Sequence, residues 1–275
     1  PVLTVRFLGG ASIEGDDGPL TGRPTHRHRL ALLALLAATR PGGLSRDKLQ
    51  AYLWPSRDAE SARGLLNQSV YILRKALGEG AILSTGDELR LDPDALAVDV
   101  IGFERALEAG DPERAVELWR GPFLDGFFLP AAAEFERWVA AERTRLRDGY
   151  RKALESLAEA AEARGDAPEA VRWWRRLAEE DPANARVALA LMNALETAGA
   201  RGEALRHARV HVRFLEAEFG AEPDPAVTEL AERIRTDPRT GAESDGSASA
   251  TGRTTSGGGP PGQEPPGGGP AVGRS

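Results

Sequence analysis

The chain has 275 residues, 41% hydrophobic and 28% charged, with a net charge of −7 and no cysteine. This is enough chain for one or two domains with a sizeable core, and it excludes disulfides, thiol nucleophiles and thiolate metal sites. The longest apolar run, residues 30–38, falls far short of the roughly 20 residues that span a bilayer.

The opening residues, PVLTVRFLGG, lack the basic start and long apolar core of a signal peptide. The expectation is therefore a soluble, cytoplasmic protein with no membrane contact. Charge is unevenly spread: the balance is +1 over residues 1–98, −7 over 99–235 and −1 over 236–275. A near-neutral first segment neither demands nor excludes nucleic acid, so the local distribution of charge has to decide.

Residues 2–8, VLTVRFL, alternate and carry β-branched side chains, which predicts a strand. Residues 11–24 are broken by Gly and Asp and have room for one or two short strands. Residues 28–38 predict a helix that is apolar nearly all round and so central to a core; Arg27 and Arg29 stand at its start, and Pro41-Gly42-Gly43 ends it. Ser45 is a good N-cap for a second helix, SRDKLQAYLW, which stops at Trp54-Pro55. A short polar loop follows, made of Pro55, Ser56, Arg57, Asp58 and Ala59. Then comes a third helix in residues 60–78, ESARGLLNQSVYILRKALG. Residues 82–92 read as two short strands around Gly86-Asp87. Two helices about a short loop, followed by a hairpin, predict a winged helix-turn-helix.

From Asp99 onward the chain reads as almost all helical and repetitive. Gly165, Glu169 and Ala170 recur 34 residues later as Gly199, Glu203 and Ala204, the period of tetratricopeptide repeats. GDPERAVELW from Gly110 looks like a third copy, set apart by one long helical insertion. The predicted organisation is a winged-helix domain over 1–97, an all-α tetratricopeptide-like domain over 98–235, and a tail over 236–275. The tail holds 11 Gly and 6 Pro; it cannot bury enough surface to offset its ordering entropy and is expected to be a disordered tail or linker. The fold class is mainly α with a small β component.

The third helix carries the functional signal. On a helical wheel, Ala62, Leu66, Val70, Leu73 and Leu77 share one face. The other face holds Arg63, Gly64, Asn67, Gln68, Tyr71, Arg74 and Lys75, and no carboxylate occurs between Ser61 and Gly78. Arg and Lys can fork onto guanine or pair with phosphate, and Asn and Gln can bond adenine edges. Tyr can bond phosphate or pack on sugar. A merely solvated face usually mixes signs at i,i+4 spacing; the position of this helix, after two helices and before a hairpin, favours DNA. Ser45, Arg46 and Lys48 begin the second helix, where phosphate can be gripped. Arg90 lies on the wing.

His26 and His28 lack neighbouring ligands, and the His207/His211 pair lacks the Glu of a zinc hydrolase, so neither a metal nor a cofactor is expected. No phosphate-binding loop, zinc-hydrolase motif or nucleophile elbow occurs, so no enzyme is expected.

Residues 29–78, with LW-P followed by Ala62, Arg63, Leu66, Leu73, Arg74, Leu77 and Gly78, resemble the winged helix of the antibiotic-regulatory-protein activators of bacteria. VDVIGFERAL at Val98 and WRGPFLDGF at Trp119 resemble the bacterial transcriptional activator domain that follows it in that family. The resemblance covers about residues 1–235; Arg23-Pro24-Thr25-His26 departs from it. It implies a sequence-specific activator that binds promoter direct repeats in double-stranded DNA as a tandem homodimer and recruits RNA polymerase, with residues 55–59 as candidates for the polymerase contact. The competing reading is a repeat scaffold or signalling module whose winged helix no longer binds DNA.

Overall fold

The computed structural model describes residues 3–16, 18–39 and 42–236; apart from Thr236, the expected tail lies outside them. Residues 1–235 form one compact unit. In chain order the elements are β1 (Thr4–Arg6), β2 (Ser12–Gly15), β3 (Gly18–Pro19), α1 (Arg27–Ala38), β4 (Leu44–Ser45), α2 (Arg46–Leu53), α3 (Ala59–Leu77), β5 (Ile82–Thr85), β6 (Glu88–Leu91) and β7 (Ala97–Val98). The helices α4 (Asp99–Glu108), α5 (Pro112–Leu118), α6 (Ala133–Ala163), α7 (Ala167–Glu180), α8 (Ala185–Thr197), α9 (Arg201–Phe219) and α10 (Pro225–Thr236) complete it.

Every residue of α1 from Leu30 to Ala37 is buried, as an all-round apolar helix must be. α2 and α3 pack on it and on each other. The hairpin β5–β6 takes β4 as a third strand, in the order β4-β6-β5, and this small sheet is the wing. Gly43 makes the third strand possible: its φ is +79°, and a Cβ there would sit 2.6 Å from the Leu89 carbonyl oxygen. Two boundaries differ from the sequence expectation. Ala59 is the first residue of α3, because Asp58 rather than Ala59 caps it by accepting from the Ser61 N–H at 2.9 Å. Arg27 and Arg29 lie inside α1; each donates to a backbone carbonyl, of Phe128 and Arg23 respectively, and neither leads into it.

The N-terminal sheet runs β3-β2-β1-β7, with β1 and β7 parallel. Thus the two residues preceding α4 complete a sheet begun at Thr4. Asp99, only 4% exposed, fixes that junction. Its carboxylate accepts from the backbone N–H groups of Phe7, Leu8 and Val100 at 2.7–3.0 Å. The WRGPFLDG segment docks on the same strand: Leu124 donates to the Phe7 carbonyl and Gly9 to that of Pro122. Arg143 from α6 holds the segment by donating to the carbonyls of Phe123 and Leu124.

Beyond the junction, consecutive helices from α4 to α9 pack in sequence order. The repeat seen in the sequence has a backbone cause. Gly110, Gly165 and Gly199 have φ of +69°, +73° and +76°, and each follows the last turn of a helix. The next residue in each case donates six-to-one into that turn: Asp111 to Ala106, Asp166 to Ala161, Ala200 to Leu195. These are three copies of one glycine-terminated helix end. Five residues after each glycine comes a buried alanine, Ala115, Ala170 or Ala204, where two helices close on one another. The expected insertion is α6, 31 residues and so roughly 46 Å long. It reaches back to the winged helix, where Trp138 meets Tyr52 of α2 at 6.3 Å between ring centroids.

Candidate nucleic-acid interface

The apolar arc of α3 buries Ala62, Leu66, Val70, Leu73 and Leu77, and this fixes what its opposite face presents. Arg63, Asn67, Gln68, Tyr71 and Lys75 are all exposed, Tyr71 by 64%. Among the described residues Arg63, Gln68, Tyr71 and Lys75 make no hydrogen bond or ion pair within the molecule. The rest of the structure behaves differently. Save for Arg6–Glu14, the ion pairs among the described residues lie between Glu104 and Arg235. The helical half neutralises many of its arginines internally, whereas the cations of α3 have no carboxylate partner.

A polar cluster ties α3 to its neighbours. Arg46, at the start of α2, donates from one guanidinium nitrogen to Asn67 Oδ1 at 2.9 Å and from the other to Ser84 Oγ at 3.5 Å. Arg74 donates from Nε and Nη2 to the Ile82 carbonyl at 2.9 and 2.7 Å, and from Nη2 to the same Ser84 Oγ at 2.9 Å. So α2, α3 and β5 meet at Ser84, and Arg74 is a bridge to the wing with its Nε and Nη2 committed. The wheel places Arg74 on the polar side correctly; it does not reveal that the side chain reaches back to the strand. Sequence reading also missed Ser84, which carries no motif.

Ser45 caps α2 by accepting from the Lys48 N–H at 3.3 Å, and Lys48 is exposed without a side-chain partner. Arg90 is exposed on β6, paired in register with Leu83. Asp87 and Glu88 stand at the tip of the wing, Asp47 in the first turn of α2 and Glu60 in the first turn of α3, so carboxylates border the cationic face, and none occurs in α3 beyond Glu60. Residues 55–59 are exposed throughout. The N–H groups at the start of α3, Ser61 foremost, hold the Asp58 carboxyl below its ordinary range.

His28 stacks on Trp54 with ring centroids 5.4 Å apart and planes 3° from parallel. It is a packing residue between α1 and the end of α2. Among the described residues no group of three or more His, Asp or Glu is placed to hold a metal, and no helix is long and apolar enough to cross a membrane.

Residues 98–235 match the family model of the bacterial transcriptional activator domain. Two Streptomyces coelicolor proteins are similar in sequence. Regulatory protein AfsR is 30% identical over 230 residues, which cover 78% of this chain and 22% of AfsR. Transcriptional regulator RedD is 32% identical over 206 residues, covering 69% of this chain and 53% of RedD. The chain thus spans about a fifth of the one and about half of the other. Among solved structures, Mycobacterium tuberculosis EmbR, in a complex with a low-affinity phosphopeptide, is similar with a TM-score of 0.59 and 26% identity, over 85% of this chain and 65% of EmbR. The proteins it resembles in sequence are named as regulators, not enzymes.

Proposed function

We propose a DNA-reading mechanism for a chain that belongs to the bacterial transcriptional activator domain family, as a transcriptional regulator of the antibiotic-regulatory-protein type. α3 enters the major groove of promoter DNA. Arg63 and Gln68 address base edges or phosphates, and Asn67 does so through its amide nitrogen, its oxygen being held by Arg46. Tyr71 and Lys75 contact the backbone, as do Ser45, Arg46 and Lys48 from the start of α2 and Arg90 from the wing. Arg74 acts through the wing by holding β5 against α3. Protomers bind direct repeats in tandem, and the exposed loop of residues 55–59, at the mouth of α3, faces RNA polymerase.

The observation that carries this reading is the face of α3. A helix that served only packing or solvation has no reason to hold four donor side chains without an internal partner and to carry no carboxylate after Glu60 in its first turn, in a protein of net charge −7. The test is selection of duplexes from a random library by the folded chain. The expected result is a recovered direct-repeat motif whose affinity falls steeply with salt, by about 0.9 in log–log slope per phosphate neutralised. Absence of enrichment from a protein shown to be helical and folded would overturn the proposal.

A further inference from the structure

α9 carries the segment HARVH, which sets His207 and His211 one helical turn apart on one face. Both line a pocket of about 400 Å³ between α7, α8 and α9. Its lining is partly apolar, with Leu191 and Leu195 from α8 and Val210 and Phe214 from α9, and partly charged, with Glu179 and Arg206. The Arg175–Glu203 ion pair, 2.7 Å long, sits in its lining.

His211 is 3% exposed, and its Nδ1 lies 2.9 Å from the Pro182 carbonyl oxygen. A carbonyl only accepts, so Nδ1 carries the hydrogen, and in the neutral ring Nε2 is left as a lone-pair acceptor. That Nε2 is buried and has no hydrogen-bond partner among the described residues, and the same is true of His207 Nε2. Burial, with His211 and Arg175 adding to it, holds His207 below the usual histidine range. A buried acceptor such as His211 Nε2 is costly to leave bare, because it forfeits its hydration without a replacement bond. A metal ion does not explain them, because no third ligand gathers at the pair. A peptide strand presents alternating donors and acceptors along its length, whereas the unpartnered ring nitrogens of this pocket both come from α9, one helical turn apart.

We infer that the pocket between α7, α8 and α9 binds a small apolar molecule bearing an O–H or N–H group, with His211 Nε2 accepting that hydrogen and His207 beside it. The site lies on the helical repeats and stands independently of the DNA-reading role of α3.

The test uses the chain as it stands and two probes of one shape, 2-naphthol and 2-methoxynaphthalene, titrated calorimetrically. Only the first can donate. The expected result is saturable one-site binding of 2-naphthol, about tenfold tighter than the methyl ether, the worth of one hydrogen bond to an otherwise unpaired buried acceptor. Val210→Trp, at a position 58% exposed, fills the mouth without disturbing the core and should abolish binding of both probes. His211→Phe should leave the ether unchanged and erase the preference; if that variant does not fold, His207→Phe and the probe pair still decide. Equal affinities for the two probes, binding indifferent to Val210→Trp, or no binding at all would overturn the inference. Zinc binding that is lost in His207→Phe would replace it with a metal site.

Discussion

Arg63 and Arg74 carry the same charge on the same side of α3, yet the structure gives them different work. Arg63 has no internal partner, so Arg63→Ala should leave stability within about 0.5 kcal/mol of the parent, as for surface changes generally. It should weaken DNA binding by about 1–3 kcal/mol where it meets a base edge, or lower the salt slope by about one where it meets phosphate. Arg74→Ala should do the reverse. It strips the Ile82 carbonyl of both Arg74 donors and leaves Ser84 only the longer bond from Arg46, and Ile82 is fully buried. The cost should be about 1–3 kcal/mol of stability, read as a lower midpoint in urea, with the loss of DNA affinity following from a loosened wing. His28 makes a pH prediction. Burial is the main cause holding it below the ordinary value of 6.5, with Arg29 adding to it against a hydrogen bond that the ring donates to the Leu53 backbone carbonyl. The unfolded state therefore binds the proton more readily. Stability from this group is fully present above about pH 6.5 and is lost as pH falls through that value toward the lower folded pKa. His207, also held low by burial, adds to the same slope. Melting between pH 7.5 and 5 should show the decline, and His28→Phe, which keeps the ring against Trp54, should flatten part of it.

Among the elements, the glycines separate strain from obstruction. At Gly165 the φ is +73° and a Cβ would meet nothing, so Gly165→Ala should cost only the left-handed backbone penalty, about 1–2 kcal/mol. At Gly43 the same backbone penalty comes with a Cβ 2.6 Å from the Leu89 oxygen, and β4 cannot hold its place on β6. Gly43→Ala should cost more than Gly165→Ala, at least about 2 kcal/mol, and should loosen the wing; paired denaturation curves decide. Three helix ends were legible in the sequence because each repeats a left-handed glycine with a buried alanine five residues on, and two of them add a polar cap, Asp111 and Asp166. The three helices and the hairpin of the winged helix were legible from caps and apolar periodicity for the same reason. β4 and β7 were not. Two residues, Leu44–Ser45 or Ala97–Val98, have no period to read, and each pairs with a strand distant in sequence. The face of α3 was legible as a direction, but the reach of Arg46 and Arg74 to Ser84 depends on where the wing lies, which no wheel contains.

At the scale of the molecule, the boundary at residue 97 is where sequence and structure part company in emphasis. Composition and family resemblance both divide the chain there, yet the physical bonds concentrate there too. β7 pairs with β1, Asp99 satisfies three N–H groups of which two belong to β1's exit, the 122–124 segment bonds the same stretch, and Tyr52 meets Trp138. Phe7 and Leu8 are buried, and cutting the chain after residue 97 leaves their N–H groups without an acceptor and the aromatic contact without its partner. The two halves should therefore unfold together. Residues 1–235 are expected to melt in a single cooperative transition, and residues 1–97 alone to be markedly less stable than the same residues within 1–235. Asp99→Asn is the gentler probe of the same coupling. The amide can retain the N–H bonds made to one oxygen, but its nitrogen turns a donor toward the Leu8 N–H, which loses its acceptor at a buried site. The loss should be about 1–3 kcal/mol, and it should lower the stability reported by α3 and by α9 equally. Two separate transitions, or a drop confined to the winged helix, would mean that the halves are independent bodies in contact, and that DNA binding by α3 has no mechanical link to the helical repeats.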